Sequence, residues 1–414
     1  MKIEYNITME TYKVIIIGGG TAGLVLANIL AERGETNLLV LERCDRVGKK
    51  LSATGNGQGN ITNLRVSETG GYFSSEPKSM TRLGGLLSAY NVEEFREFWA
   101  KRGVLLSFDE RGRAYPAGRQ ASSLTDALRF YAEEKGVELR TGARVYSVRK
   151  TQNGFVAEYE KDGEKRACQA EKLVLCTGGK AAKNFGTDGT AYALAQSFGH
   201  TVTPLYPSLV QLKTETAPIK TLKGIRVVNG GLTVRAPSGE YTVRGDIIFT
   251  DYGVSGDAVF RVSAFVTPEI ESGRVTLTLD FLPEIGEIAI YEALQKKREA
   301  YPTLLENELL LGIVNNQIGR AVMKRAAGDM RRAATLVKAF PLRVTGCLGF
   351  DYAQVTKGGI PLSETTQNFE SKRSAGLYFA GEILDVDGQC GGFNLHFAYA
   401  SARAVAESMI RGQV

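Results

Sequence analysis

The run Val14-Ile15-Ile16-Ile17-Gly18-Gly19-Gly20-Thr21-Ala22-Gly23-Leu24 constrains the chain more than any other stretch. Four consecutive branched apolar side chains read as a parallel strand buried on both faces. Glycines follow at once as Gly18-x-Gly20-x-x-Gly23, and the small and apolar residues from Leu24 to Leu30 read as a helix. Gly18 permits the tight turn, Gly20 lets a pyrophosphate approach the backbone, and Gly23 lets helix and strand pack closely. Thr21 and Ala22 belong to the helix N-terminus, whose free N–H groups favour phosphate. A second apolar run, Leu38-Leu39-Val40-Leu41, ends at Glu42, where an acid accepts hydrogen bonds from ribose hydroxyls. Strand, glycines, helix, strand and acid in this order predict a dinucleotide site. Arg43 and Lys50, in the polar turn that follows, are counted among its contacts.

Bulk properties narrow the class. The chain has 414 residues, 43% hydrophobic and 23% charged, as ordinary multidomain globular proteins do. A formal charge of +6 suits an anionic ligand without pointing to nucleic acid. Five scattered cysteines and two histidines offer no metal-ligand spacing, so no metal is expected. The odd cysteine count fits a reducing, cytoplasmic setting. No apolar run approaches the roughly 20 residues that cross a bilayer, so no membrane partner is expected. Residues Met1 to Tyr12 read as a short lead-in without the apolar core of a signal peptide.

Further along, Thr54-Gly55-Asn56-Gly57-Gln58-Gly59-Asn60-Ile61-Thr62-Asn63 cannot hold a regular element, and its exposed backbone groups suit a loop wrapped around a polar ligand. Helices are predicted over Val92–Arg102, Ser123–Lys135 and Thr190–Phe198. A hairpin is predicted over Val104–Phe108 and Arg113–Pro116. A β-meander covers roughly 143–170, including Val145, a further candidate cofactor contact. Lys172–Cys176 reads as a separate buried strand, and its end at Thr177-Gly178-Gly179 again permits close ligand approach. From residue 204 to 344 the pattern changes, first to strand-like runs (204–282) and then to a helical block (283–340). We read 204–344 as an inserted substrate or cap domain between two parts of a cofactor domain, 1–203 and 345–414. Lys324, Arg325, Arg331, Arg332 and Lys338 form a basic patch that reads first as a solvated face. The last segment returns to the style of the first: strand Gly376–Ala380, then Gly381-Glu382, a loop with Asp385, and Gly391-Gly392-Phe393-Asn394-Leu395 opening a helix.

A strand with GxGxxG at one end of a chain and strand-Gly-Glu-loop-glycine-helix at the other resembles the bipartite FAD domain of the glutathione-reductase-like class. The expected fold is therefore α/β, a glutathione-reductase-like FAD-binding Rossmann domain interrupted by an inserted β-rich plus helical domain. A narrower resemblance, to the YhiN/BaiN-like flavoproteins, rests on Gly48-Lys49-Lys50-Leu51 with the 54–63 loop, Gly199-His200, Pro207-Ser208-Leu209, Phe249 to Gly256, Glu370-Ser371-Lys372, and 381–395. By that resemblance Glu382 binds the ribityl and phosphate side of FAD. Thr54, Gly55, Asn56, Gly57, Asn60, Thr62 and Asn63 form a flavin loop, and Gly392, Phe393, Asn394 and Leu395 face the flavin pyrimidine edge. The family's loop commonly carries Arg and Cys where this chain has Gln58 and Gly59.

The resemblance implies an FAD-dependent oxidoreductase. The first reading is an NAD(P)H-linked reductase that transfers hydride from flavin N5 to an activated C=C, an enone, of a hydrophobic small molecule such as a steroid or bile-acid intermediate. NAD(P)H is then a co-substrate sharing the substrate cleft, because no second complete GxGxxG and no redox CxxxxC pair follow. Tyr252, His396 and Tyr399 are the candidate proton donors. An aminoacetone-type amine oxidase producing hydrogen peroxide, and a flavin-containing RNA-binding or RNA-modifying protein, are the alternatives.

Overall fold

The computed structural model describes residues 9–411. It divides into two compact units, one built from the chain up to Leu205 together with Val355 onward, the other from Tyr206 to Gln354. Each has its own apolar core.

The first unit is organised on a seven-stranded sheet. Strand β1 (Glu10–Ile17) is central, and its last four side chains are buried. It leads through Gly18–Gly20 into helix α1 (Thr21–Glu32), which is apolar almost all round and buried from Ala22 to Ala31. Strand β2 (Leu38–Leu41) lies parallel to β1 on one side and Glu164–Leu175 lies parallel on the other. The short strand Glu138–Arg140 extends the parallel set beyond β2, and Leu377–Phe379, from the far end of the sequence, pairs beside Leu175. Ile17 is in register with Leu41 and with Leu175, and Leu175 with Phe379. The carboxyl ends of four parallel strands therefore stand side by side. The lead-in predicted over 1–12 falls partly on residues 1–8, outside the described residues; the part that is described already belongs to β1, which starts at Glu10.

Two sequence expectations change here. Arg166–Ala170 and Lys172–Cys176 are not separate strands but one twelve-residue strand, Glu164–Leu175. Its first half pairs antiparallel with Gly154–Lys161, and β1 runs parallel along most of its length. The predicted meander is thus a ribbon hung on the main sheet, while Glu138–Arg140 is a parallel edge strand of that sheet.

The second unit is a closed barrel whose strands Leu212–Thr214, Gly253–Ser255, Gly239–Phe249, Arg226–Ala236, Thr276–Asp280 and Phe340–Cys347 pair in that order. Helices Glu287–Ala300, Asn316–Ala326 and Met330–Lys338 fall between the fifth and sixth strands. The barrel closes only when Phe340–Cys347 pairs with both Thr276–Asp280 and Leu212–Thr214. This requirement moves the boundary expected at 344 to 354. The stretch read as β-rich also contains helix Asp257–Val266, whose Ala258, Val259, Val262 and Val266 are buried. The three β-branched valines among them hide a helical spacing.

Candidate functional site

The strand ends supply the first contacts. Gly18 turns with φ 106°, and a Cβ there would lie 2.4 Å from the Cys176 carbonyl oxygen. A Cβ on Gly23 would lie 2.0 Å from the Gly18 carbonyl oxygen, whereas one on Gly20 would meet nothing within 4 Å. Two glycines are therefore demanded by the protein's own packing, and the third faces open space in front of the α1 N-terminus. Glu42 is held by the N–H of Gly19 on Oε2 at 2.8 Å and that of Cys44 on Oε1 at 2.7 Å. Each carboxylate oxygen keeps acceptor capacity beyond these bonds. Gly142 and Ala143 donate to the carbonyls of Cys44 and Glu42, which draws the start of the Val145 strand alongside. Arg43 pairs with Asp188 at 2.9 Å, and this ion pair with the Thr190 hydroxyl holds the Asp188 carboxyl far below its usual range despite the opposing cost of burial.

At the end of the neighbouring strand, the Thr177 hydroxyl is buried with no hydrogen-bond partner among the described residues. A buried orphan hydroxyl costs about 1–3 kcal/mol unless something fills it. Gly179 is required because a Cβ would lie 2.5 Å from the Thr356 hydroxyl, which accepts the Lys180 and Ala181 N–H groups. Gly178 turns with φ 70°.

The two ends of the chain meet here. Lys50 Nζ donates to Glu382 Oε2 at 2.7 Å, and Glu382 Oε1 accepts the Thr356 N–H at 2.9 Å. Gly381, at φ 78°, leaves so little room that a Cβ would lie 2.9 Å from Ala22 Cβ in the first turn of α1. The Gly18–Gly23 turn and the Gly381-Glu382 turn are thus packed into one place. An ADP-bearing dinucleotide fits these residues: open backbone at Gly20, an acid at Glu42, an unfilled hydroxyl at Thr177 and a clamped Lys50–Glu382 pair.

Several predicted contacts have other duties. Asp385 is buried and accepts the Ser75 N–H and both the Ser74 and Ser75 hydroxyls; burial raises its pKa. Its side chain braces that turn. The Asn394 side chain exchanges two hydrogen bonds with the Gly388 backbone, Gly388 N–H to Oδ1 at 2.8 Å and Nδ2 to the carbonyl at 2.7 Å. Helix Phe393–Arg411 begins at Phe393, a buried anchor, so the first-turn N–H groups are what Asn394 and Leu395 can offer a ligand. Gly392, at φ 100°, abuts the Thr62 carbonyl, where a Cβ would lie 2.4 Å away. Thr62 and Asn63 are buried; Asn63 Nδ2 donates to the Gly391 carbonyl at 3.2 Å, and Asn60 Nδ2 to that of Ala114 at 3.1 Å. These three side chains brace the loop. Gly55, Asn56 and Gly57 are exposed and left-handed, and Thr54 Oγ1 bonds back to the Lys50 carbonyl.

The predicted proton donors are corrected most. His396 is fully buried: Nδ1 accepts from the Thr62 hydroxyl at 2.8 Å, and Nε2 donates to the Tyr90 carbonyl at 2.8 Å. Burial holds its pKa down to about 4, so it is a neutral internal strut. Tyr399 is equally buried and donates to the Glu94 carbonyl at 3.1 Å. Neither can deliver a proton to a substrate. Tyr252 belongs to the second unit, half-buried on the turn before Gly253–Ser255. Sequence reading missed Thr356 and Tyr192. Tyr192, whose hydroxyl is buried without a partner among the described residues, feels the charges of Glu382 and Asp385.

Comparison with known proteins accords with this geometry. The HI0933-like protein Rossmann domain family matches residues 12–408. The chain belongs to the HI0933-like family. It is an oxidoreductase with a Rossmann-type FAD-binding domain. It is 33% identical, over 95% of its length and 99% of the relative's, to a 3-dehydro-bile acid delta(4,6)-reductase of Clostridium scindens. It is 27% identical, over 97% of its length and 99% of the relative's, to a ribosomal RNA dihydrouridine synthase of Escherichia coli. Among solved structures, the 3-ketosteroid-delta4-(5alpha)-dehydrogenase of Rhodococcus jostii shares the fold, with a TM-score of 0.54 at 19% identity and 98% of each chain covered. Among the described residues no helix is long and apolar enough to cross a membrane.

Proposed function

We propose that this HI0933-like protein reduces a C=C bond conjugated to a carbonyl in an apolar, steroid-like small molecule, with NAD(P)H as electron source. The observation that carries the reading is the 33% identity, along nearly the whole chain, to a bile-acid delta(4,6)-reductase. The convergence of the Gly18–Gly23 turn, Glu42, Thr177 and the Lys50–Glu382 pair supports the cofactor. When bound, FAD supplies the two-electron chemistry. The chain's own residues then divide the work. Glu42 takes the ribose hydroxyls, the α1 N-terminus takes phosphate, Lys50 and Glu382 fix the strand end beside it, and the first turn of Phe393–Arg411 offers N–H groups to developing negative charge. Of the three acids first considered, His396 and Tyr399 are buried, which leaves Tyr252 as the candidate to test. The Tyr252→Phe variant is expected to lose about tenfold or more in kcat while its KM for the enone stays within about twofold; an unchanged kcat removes the residue from the mechanism.

Anaerobic mixing of the yellow protein with NADH or NADPH is expected to bleach it within the turnover time. Failure with both nucleotides contradicts the NAD(P)H reading, and hydrogen peroxide formation from aminoacetone without nicotinamide consumption selects the oxidase.

A second reading, reduction of uridine in RNA, has the relatives named ribosomal RNA dihydrouridine synthase in its favour, at 27% and 26% identity. Its chemistry is close, since the uracil C=C is also conjugated to a carbonyl. The basic patch is smaller than the sequence implies, however. Arg325 lies over the Phe340 ring at 4.9 Å, and Lys338 pairs with Asp280 at 2.8 Å. Lys324, Arg331 and Arg332 remain exposed. Salt-sensitive RNA retention lost in Arg331→Ala/Arg332→Ala favours this second reading over the first.

A further inference from the structure

Gln58 is exposed, and Gly59 is enclosed: at φ 80°, a Cβ there would lie 2.9 Å from Leu124 Cδ1, 3.1 Å from Ala121 Cα and 3.1 Å from Pro116 Cδ. Pro116 ends the hairpin Leu106–Phe108/Arg113–Pro116, so the missing side chain lets that hairpin close on the loop. The hairpin brings its own positive charge. Arg113 stands directly opposite Asn63 in an antiparallel pair, so the two side chains share a face. Asn63 on that face donates to the Gly391 carbonyl, and Arg113 Cγ and Cδ lie 3.8 Å from where a Gly391 Cβ would be. Tyr115, two residues on, shares the face; the Arg119 guanidinium stacks on its ring at 3.9 Å, and that of Arg113 lies 5.9 Å from it. Arg113 is aimed and not mobile: Asp109 holds Nε at 2.8 Å and Nη2 at 2.7 Å, leaving Nη1 without a hydrogen bond among the described residues. The half-buried Arg113 side chain thus runs past the Gly391-Gly392 turn that opens the C-terminal helix, its Cγ and Cδ against the turn and its guanidinium held by Asp109.

We propose that Arg113 binds the carbonyl oxygen of the substrate's conjugated system. The assignment rests on the enone-reductase reading above. In that reaction reduced nicotinamide is the electron source. A hydride carries its electron pair to the β-carbon, the π pair moves toward the carbonyl oxygen as an enolate, and a proton then adds to the α-carbon. Negative charge grows on the oxygen, where a guanidinium N–H stabilises it more in the transition state than in the bound ketone. Asp109 sets the direction of the fork.

The test compares wild-type, Arg113→Gln and Arg113→Lys holoproteins by titration calorimetry with a saturated 3-oxosteroid, which binds but cannot be reduced. FAD content and rate of bleaching by NAD(P)H are measured alongside. Arg113→Gln is expected to weaken ketone binding by about tenfold and to lower kcat/KM for the enone further, with FAD content unchanged. Arg113→Lys recovers part of the loss because the charge returns without the fork. A flavin-replete Arg113→Gln protein that binds the ketone as tightly as wild type overturns the role of Arg113 alone. A wild-type protein that binds no ketone overturns the substrate reading and the role of Arg113 with it.

Discussion

A Gly23→Ala protein will purify without flavin and melt well below wild type. The added Cβ would lie 2.0 Å from the Gly18 carbonyl oxygen, a backbone atom that cannot swing aside, and 3.2 Å from Ile16 Cγ2. Relief requires α1 to lift from β1, and overpacking of this kind costs about 1–3 kcal/mol before any ligand is considered. Gly20→Ala is the matching control. Nothing lies within 4 Å of its Cβ, so the apoprotein keeps its melting temperature, while FAD affinity falls about tenfold or more because the methyl group occupies space meant for a phosphate. Thermal melts of both apoproteins and FAD titration by fluorescence separate the two effects. Equal apoprotein stability in Gly23→Ala, or undiminished FAD affinity in Gly20→Ala, contradicts the roles given to these glycines.

His396→Leu will remove a specific part of the acid sensitivity of the fold. In the folded protein burial lowers the His396 pKa from 6.5 to about 4, so the unfolded chain takes the proton first as pH falls. Stability is therefore full above about pH 6.5 and drains away between 6.5 and about 4, by about 3 kcal/mol for this side chain. His200 moves in the same direction because it too is depressed by burial, although Glu364 at 2.7 Å opposes the shift. Leucine keeps much of the volume but strips the Thr62 hydroxyl and the Tyr90 carbonyl of one buried hydrogen bond each. At pH 7 the variant is expected to lose about 2–4 kcal/mol, and its denaturation midpoint should change less than that of wild type from pH 6.5 to 4.5. A variant with wild-type pH dependence of stability shows that the buried imidazole does not act as a neutral strut.

The contrast between these residues shows what a sequence can disclose. Gly18, Gly20, Gly23 and Glu42 are legible because a dinucleotide imposes fixed spacings on a local strand-turn-helix unit. Lys50 and Glu382 could each be chosen from local pattern, but their mutual ion pair spans the length of the chain and only the sheet order reveals it. His396 lies near the start of a helix at the expected flavin edge, and helical phase alone does not say that it turns inward against Phe95 and Thr62. The barrel strand Phe340–Cys347 was hidden because its partners, Leu212–Thr214 and Thr276–Asp280, lie far away in sequence. Arg113 escaped notice for the same reason: its place beside Gly391 depends on a two-residue strand, Thr62–Asn63, too short to announce itself.

The most direct test of the account is a single turnover. The holoprotein is bleached anaerobically with one equivalent of NADH or NADPH, then mixed with a 4-ene-3-oxosteroid, and colour and product are followed together. The account predicts that yellow colour returns with one saturated 3-oxosteroid formed per flavin. A protein that stays bleached with the steroid, yet recovers its colour with uridine-containing ribosomal RNA or only on admission of oxygen, contradicts it.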